Sequence, residues 1–257
     1  MQRFSFILFL FLVLSAPIIS ARSHDKIHPE TLRYEVFFKW GLINKKAGTV
    51  EIKLFRQPEM YVSKLTAQSE PWADRFYRVR DTLNSHMTLE RTPILYEKIA
   101  HEGNDHKHDI VKYDISNPAA IKAACTRKVI SKGKLKVEET RQLQADGAAI
   151  DMLSSFYYMR NLPFQDWNAG ETHSIDIFSG KAKELLTFKY VGKERIKIND
   201  REYDTYHITF LFTSKGGTKS SDDMDAWISA EGQRIPLRLE GKLPVGRVKC
   251  FFVDENK

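Results

Sequence analysis

Apolar and polar residues alternate along most of this chain, with the period of two that is typical of half-buried β-strands. The clearest stretch is residues 225–252, where apolar positions alternate with basic ones. Glu231-Gly232 and Pro244-Val245-Gly246 supply turn residues within it. Leu32–Lys39 and Thr205–Thr213 show the same period. The pattern therefore predicts antiparallel strands joined by short turns.

Two internal hairpins carry the same pattern. Ile94–Glu102 and His106–Tyr113 flank one Gly-containing turn, and Cys125–Ser131 and Leu135–Leu143 flank another. Strands are not followed by helices at regular intervals, which favours an antiparallel sheet over a parallel βαβ architecture. About a dozen strands of this kind favour an antiparallel sheet that is curled or closed on itself.

Two segments have helical spacing instead. A helix is predicted from Pro71, because its apolar residues recur at intervals of four, three and four. These residues are Trp72, Phe76, Val79 and Leu83. A second helix is predicted from Ala148 to about Asn161, with Asp146 as its N-cap and Pro163 ending it. The predicted fold is thus mainly β, a curved antiparallel sheet or barrel with two packed α-helices on its concave side or across its mouth.

The N-terminus has the order of a secretory signal peptide. Arg3 precedes an apolar run at residues 4–14, followed by Pro17 and small residues up to Ser23. The apolar run is shorter than the roughly 20 residues of a membrane span, so we interpret residues 1–22 as a removed signal, cleaved between Ser20 and Ser23. No cysteine lies near this site, so the sequence gives no signal for lipid attachment of the bacterial lipoprotein kind. We expect one β-barrel-like domain over residues 23–257, periplasmic or secreted, without a transmembrane anchor.

Charge and cysteine content limit the kinds of partner and the kind of cross-link that we expect. The 257 residues carry a formal charge of +7, spread along the chain rather than gathered in one tract. This favours solubility or attraction to anionic envelope surfaces, and a nucleic-acid partner is not expected in that compartment. Cys125 and Cys250 are the two cysteines, and in an oxidising compartment they could form a disulfide. The sequence leaves that pairing open.

No known catalytic or metal-binding signature is present. The hairpin around residue 104 is rich in ligating residue types, which is consistent with a metal site or, more simply, with a solvated rim: His101, Glu102, Asp105, His106, His108 and Asp109. Asp222, Asp223 and Asp225 lack the Gly and terminal Glu of a calcium loop, so a charged turn is favoured. Nucleophile elbows, zinc-protease motifs and phosphate loops are missing. We therefore predict no catalytic residues, no metal and no cofactor.

The second predicted helix carries an unusual set of polar residues. Asp151, Ser154, Tyr157 and Arg160 would pack against a sheet. They could bond to strand ends and loop amides and so fix the helix, or they could form a polar ligand site.

Several motifs together resemble a known family. They are YRVRD at Tyr77–Asp81, DMLSSFYYMR at Asp151–Arg160, Gly170, and Trp227-Ile-Ser with Arg234-Ile-Pro236. With them the chain resembles, from Tyr34 to Phe252, the bacterial envelope proteins grouped as domain of unknown function 3108. The resemblance implies a secreted or periplasmic protein and implies no reaction. The late strand pair also resembles the curved half-barrels that carry lipid-bearing cargo, an analogy at the level of fold.

These observations lead to one functional hypothesis and two rivals. We expect a non-enzymatic envelope protein that binds an amphiphilic or hydrophobic ligand, a lipid or a glycan, between sheet and helices. The expected ligand-binding residues are Trp72, Phe76, Tyr77, Asp151, Ser154, Tyr157, Arg160 and Trp227. An enzyme acting on envelope polysaccharide would instead need two carboxylates in an open cleft. A factor that assembles with an envelope protein partner would show an exposed apolar patch and no pocket.

Overall fold

The computed structural model describes residues 27–214, 224–242 and 246–254. The predicted signal peptide, Asp222, Asp223 and most of the predicted turn at residues 244–246 lie outside these ranges. In chain order the elements are β1 (Glu30–Trp40), β2 (Ile43–Arg56), β3 (Tyr61–Ser69), α1 (Pro71–Asp74), β4 (Val79–Met87), β5 (Pro93–Glu102), β6 (Asp105–Asp114), β7 (Lys122–Ser131), β8 (Lys134–Gln144), β9 (Ala149–Ile150), α2 (Ser154–Asn161), β10 (Thr172–Phe178), β11 (Lys183–Ile198), β12 (Arg201–Ser214), β13 (Met224–Ser229), β14 (Pro236–Lys242) and β15 (Arg247–Val253). Within these ranges no helix is both long and apolar enough to cross a membrane.

The fifteen strands of the described ranges belong to one sheet. Its order is β8-β7-β6-β5-β4-β3-β2-β1-β15-β14-β13-β12-β11-β10-β9. Neighbouring strands are antiparallel except β9 and β10, which are parallel. Because short turns join most strands, consecutive strands pair, and the first and last strands meet in the middle of the sheet. The predicted mainly β, antiparallel architecture is confirmed, and of its two alternatives the open, curved sheet is the one observed.

Helix α2 lies on the concave face and is contacted from both halves of the sheet. Tyr157 Oη is 2.7 Å from Ser63 Oγ on β3, and Tyr158 Oη is 2.6 Å from His173 Nε2 on β10. The ring of Tyr113 on β6 stacks on Phe178 of β10, with centroids 5.6 Å apart. The sheet therefore curls around the helix, and its halves meet through side chains rather than through a closing ladder.

The hydrophobic core lies between α2 and the concave face. Its completely buried members include Met87, Val111, Ile177 and Ile208 from the sheet, together with Leu153 from the segment that leads into α2. Residues at every second position of each strand face this core, as the alternation predicts. One half of a strand's residues thus holds the helix, and the other half forms the outer surface.

The first predicted helix is wrong over most of its length. Only Pro71–Asp74 is helical, and Val79–Met87 is strand β4. Val79 and Leu83 match a period of two as well as a helical one, and pairing with β3 satisfies backbone groups along a whole strand. Phe76, expected on the packed face, is 82% exposed.

The second predicted helix begins later than expected. Ala149–Ile150 is strand β9, and α2 starts at Ser154. The start is set by Asp151 rather than by Asp146, because the Asp151 carboxylate accepts the N–H groups of Leu153 and Ser154 at 2.8 and 2.7 Å. In return, the Asp151 N–H donates to Ser154 Oγ at 2.8 Å.

Candidate functional site

The concave face has two ends, a lower end that carries Glu30, Ser63 and Ser85 and an upper end that carries Phe38 and Ala67. The lower end is closed by α2 and a buried polar network. Asp151 is completely buried, and Ser85 Oγ on β4 donates to its second carboxylate oxygen at 2.7 Å. Burial raises the pKa of Asp151 to about 6, although the hydrogen bonds oppose this rise. Burial likewise raises the pKa of Tyr157, whose hydroxyl bonds to Ser63. These groups join the helix to β3 and β4.

Arg160 makes the second attachment of α2. Its side chain is completely buried and forms a two-pronged ion pair with Glu30 on β1, with Nη2 3.0 Å from Oε2. Nη2 also donates to the carbonyl oxygen of Gln233 at 2.9 Å. The guanidinium lies over the Phe156 ring at 5.3 Å. Asp151 and Arg160 are thus bonded to strands β4 and β1, which agrees with the interpretation that they fix the helix on the sheet.

The upper part of the same face is hollow. The volume of this hollow is ≈ 710 Å³. Its walls come from β1, β2, β3 and β15, and α1 with the residues after it forms one side. The apolar lining side chains are Val36, Phe38, Trp40, Ile43, Ala47, Val50, Ala67, Trp72, Ala73, Phe76, Tyr77, Val79, Val248 and Cys250. A ligand in this hollow would contact almost only apolar atoms.

Three of the predicted site residues border this hollow, all from the segment after β3. The indole N–H of Trp72 donates to the Lys46 carbonyl at 2.6 Å, and the rings of Trp72 and Phe76 lie 6.3 Å apart. Tyr77 lies over Gly103, where an added Cβ would be 3.2 Å from the ring. Gly103 has φ +59°, so glycine serves both the turn and the close approach of Tyr77.

A charged cluster follows the hollow along the inner face, on β4 to β7. Strand register places Asp81, Lys98 and Asp109 on the same face as Ser85, and Arg127 pairs with Asp109 at 2.9 Å. Glu102 accepts a hydrogen bond from Lys107, and Lys98 Nζ lies 3.8 Å from the Glu102 carboxylate. Inward charges in this number are unusual for a β-sheet interior.

Electrostatics connect this cluster to the hollow. Burial, followed by the charge of Glu102, raises the pKa of both Asp81 and Tyr77. Burial acts to raise the pKa of Glu102 too, but the Lys107 hydrogen bond and Lys98 outweigh it, so this pKa lies below its usual value. Tyr77 therefore lies at the border between an apolar wall and a wall of paired charges.

The remaining predicted residue, Trp227, lies on the outer face. Its ring stacks on His207 at 4.4 Å and on the Arg238 guanidinium at 4.2 Å, and its N–H donates to Glu194 at 2.8 Å. It belongs to a small second cluster with Ile196, Ile198 and Leu237. The structure therefore does not bring Trp227 together with the hollow.

The structure also bears on the disulfide and the metal site that the sequence left open. Cys125 on β7 and Cys250 on β15 are free thiols, and strands β6 to β1 separate them in the sheet, so the disulfide left open by the sequence is absent. His101 and His106 bond to each other at 2.8 Å, whereas His108 bonds to Glu97. In the described parts of the chain, no three His, Cys, Asp or Glu side chains are grouped to hold a metal ion.

Comparison with known sequences assigns the chain to a family. The sequence profile of the protein family of unknown function DUF3108 matches residues 33–253. The chain belongs to this family. The match runs from within β1 to the end of β15, so the hollow and the charged cluster of this DUF3108 protein lie inside the region that defines the family. No protein with a curated description matches the chain.

A solved structure has a fold similar to that of this DUF3108 protein. A β-barrel-like protein of domain of unknown function DUF1849 from Brucella abortus is similar, with a TM-score of 0.61, 8% sequence identity, and coverage of 88% of this chain and 96% of that chain. An exported protein with a YmcC-like fold from Bacteroides fragilis scores 0.35 at 6% identity, covering 88% and 94% of the two chains. The hypothetical lipoprotein YmcC from Escherichia coli scores 0.33 at 10% identity, covering 90% and 86%. The last two scores are too low to support an argument about fold.

Sequence reasoning missed two parts of this region. The apolar residues of β1 and β15 that face the hollow have the same alternation as core residues, so no signal separates them from the core. The inward charges did leave a signal, because Lys98 and Glu102 occupy the positions of β5 that continue the buried face from Tyr96. Charged residues in phase with a buried face indicate an interior that is not filled with apolar atoms.

Proposed function

We propose that this protein is a non-enzymatic envelope protein that binds one amphiphilic ligand. The apolar part of the ligand would occupy the hollow, and its polar head would lie near Tyr77 and the charged cluster. The observation that carries the proposal is the hollow of ≈ 710 Å³ itself, lined almost entirely by apolar side chains. Pockets of roughly 300–1,000 Å³ are typical of small-ligand sites.

The surrounding chemistry favours an amphiphile over a purely apolar ligand. An oil-like ligand would need apolar walls on every side, whereas here the inner face changes at Val79 from apolar residues to Asp81, Lys98 and Glu102. Lys98 and Lys107 already face Glu102, so a polar head can exchange hydrogen bonds with these three groups without leaving a charge unpaired. The export proposed from residues 1–22 would bring the single domain, residues 23–257, into contact with envelope lipids.

A fluorescent fatty acid, cis-parinaric acid, tests the proposal. We expect the purified protein to bind it, and saturated fatty acids of increasing length to displace it. Affinity should rise about threefold to fourfold per methylene until the hollow is full, as expected for roughly 0.8 kcal/mol per buried CH₂. Mass spectrometry of lipids extracted from protein purified from its own periplasm would then identify the natural ligand.

A matched pair of variants locates the binding site. Ala67→Trp fills the hollow from β3, whereas Thr66→Trp places the same side chain on the outer face of the same strand. We expect Ala67→Trp to weaken probe binding by at least about tenfold and Thr66→Trp to leave it unchanged. Equal affinity of all three proteins, or no binding at all, would count against the proposal and in favour of an assembly factor. Hydrolysis of envelope glycan by the purified protein would favour the enzyme.

A further inference from the structure

Exposed apolar side chains gather at the mouth of the hollow. Among the described residues, nine large hydrophobic side chains are exposed, and five of them lie here: Trp40, Leu42, Ile43, Phe76 and Tyr77. The other four, Phe55, Leu135, Leu185 and Val191, lie on separate parts of the sheet. An exposed apolar group of this kind marks an interaction surface.

Two segments form this mouth and are held side by side. One is the turn between β1 and β2, which contains Leu42, and the other is α1 with Phe76 after it. The Glu70 N–H donates to the Ala47 carbonyl at 2.8 Å, which attaches α1 to the start of β2. Leu42 is fully exposed and does not line the hollow, so binding of a ligand inside the hollow does not explain it.

Basic residues surround these apolar ones. Residues 39–46 and 70–78 contain five cations, Lys39, Lys45, Lys46, Arg75 and Arg78, and two carboxylates, Glu70 and Asp74. Both carboxylates already face cations, since Asp74 lies 2.7 Å from Arg80 and Glu70 lies 3.8 Å from Lys46. Within the described part of the chain, the exposed side chains of Lys39, Lys45, Arg75 and Arg78 form no ion pair.

We propose that this mouth docks on an anionic lipid bilayer, with Leu42, Trp40 and Phe76 inserted among the lipids and the basic residues against their headgroups. Apolar side chains ringed by Lys and Arg are the pattern by which proteins bind membrane interfaces. The proposal rests on the proposed function, because docking would bring the open hollow to the bilayer and let an amphiphile pass without crossing water.

Vesicle flotation tests the docking. We expect the protein to float with vesicles of phosphatidylcholine mixed with phosphatidylglycerol, and much less with phosphatidylcholine alone. Leu42→Asp should reduce binding about tenfold, because it removes an inserted side chain and adds a charge that anionic lipid repels. Phe55→Asp is the matched control: Phe55 is 50% exposed at the opposite end of β2, and its replacement should leave binding unchanged.

A second pair of variants tests how much the basic residues contribute to docking on the bilayer. Lys45→Glu with Arg75→Glu should lower binding to the phosphatidylglycerol vesicles by about tenfold or more, because each basic residue near an anionic surface contributes about 1 kcal/mol. Lys112→Glu with Lys122→Glu changes the same charges on exposed residues at the opposite end of the sheet, on β6 and β7, and should have little effect. Added salt should weaken binding of the unchanged protein.

The outcomes separate the two proposals. Vesicle binding that is lost in Leu42→Asp while cis-parinaric acid still binds in solution supports docking. Binding of cis-parinaric acid without any vesicle binding overturns docking and leaves the proposed function standing. Equal flotation of Leu42→Asp and the unchanged protein also overturns it, as does a dimer that Leu42→Asp converts to monomers without changing flotation, because the mouth would then be a contact between two copies.

Discussion

The two ends of the concave face have the same alternating sequence and opposite packing. On β1, Leu32 and Tyr34 are buried under α2, whereas Val36 and Phe38, next on the same face, are only partly buried and line the hollow. On β12, Ile208 is completely buried, and Phe210 and Phe212 above it are not. Alternation therefore decides which face a residue occupies, and the helix decides whether that face is filled.

The polar groups differ between the two ends in the same way. At the lower end, Asp151, Tyr157 and Arg160 are buried and bonded to the sheet, so they hold an element in place. At the upper end, the charges on β5 to β7 pair with one another and hold no helix. We expect changes at the lower end to cost stability, and changes at the upper end to alter binding with little cost in stability.

Removal of Arg160 should have the largest effect on stability. Arg160→Ala leaves the Glu30 carboxylate, whose side chain is 6% exposed, buried without its partner. Loss of one member of a buried pair costs about 3–5 kcal/mol. Urea unfolding should show this loss. Arg141→Ala, which breaks the exposed pair with Glu139, should cost less than about 1 kcal/mol, and equal losses in both variants would contradict the distinction between the two ends.

The pH dependence of stability should reveal Asp151. Its folded pKa of about 6 is raised above the ordinary value of 3.8, so the folded protein holds this proton more tightly than the unfolded chain. The contribution is full below about pH 4 and is lost as pH rises to about 6, which predicts a loss of about 2 kcal/mol between about pH 4.5 and 7.5. Asp151→Asn cannot titrate.

Two variants isolate this contribution. Urea unfolding of Asp151→Asn should lack that loss, so its stability relative to the unchanged protein should be higher at neutral than at acidic pH. Asp146→Asn alters the exposed residue that the sequence predicts as the N-cap, and it should keep the pH profile of the unchanged protein. A profile of Asp151→Asn parallel to that of the unchanged protein would show that burial does not raise this pKa.

The same substitution at the two ends should have opposite results. Ala67→Leu adds volume beside the hollow, and the added apolar contact should stabilise the fold by up to about 1 kcal/mol. Ala123→Leu adds it within the packed core on β7, where overpacking costs about 1–3 kcal/mol. Thermal unfolding measures both, and a loss in Ala67→Leu as large as that in Ala123→Leu would mean that the upper end is packed.

The strands could be predicted from the sequence because each hairpin combines alternation with its own turn residues. Gly103-Asn104 and Lys132-Gly133 are examples, and β5 to β8 follow the prediction closely. The first helix could not be predicted correctly, since Val79 and Leu83 satisfy both periods and only pairing with β3 decides between them. The start of α2 depended on which of two aspartates caps it.

The site was predicted less completely, for a physical reason. Aromatic residues after Pro71 led to Trp72, Phe76 and Tyr77, which do border the hollow. Polar residues on an apolar helix led to Asp151 and Arg160, but a structural network and a ligand site need the same residue types there. The hollow itself arises because α2 crosses the sheet at the lower ends of β1, β3 and β4 and leaves their upper ends uncovered, and no local pattern encodes that placement.

Labelling of the two cysteines compares access to the two ends of the concave face without any substitution. Burial raises the pKa of both thiols to about 11, so neither thiol is activated and access decides which one reacts first. Cys125 is buried and its thiol donates to the Gly180 carbonyl at 2.7 Å, whereas Cys250 faces the hollow. N-ethylmaleimide followed by peptide mass spectrometry should therefore modify Cys250 slowly and Cys125 only after unfolding. Bound cis-parinaric acid should slow the modification of Cys250 and leave Cys125 as it was. Equal rates at both thiols in the folded protein would show that the hollow is closed to small molecules.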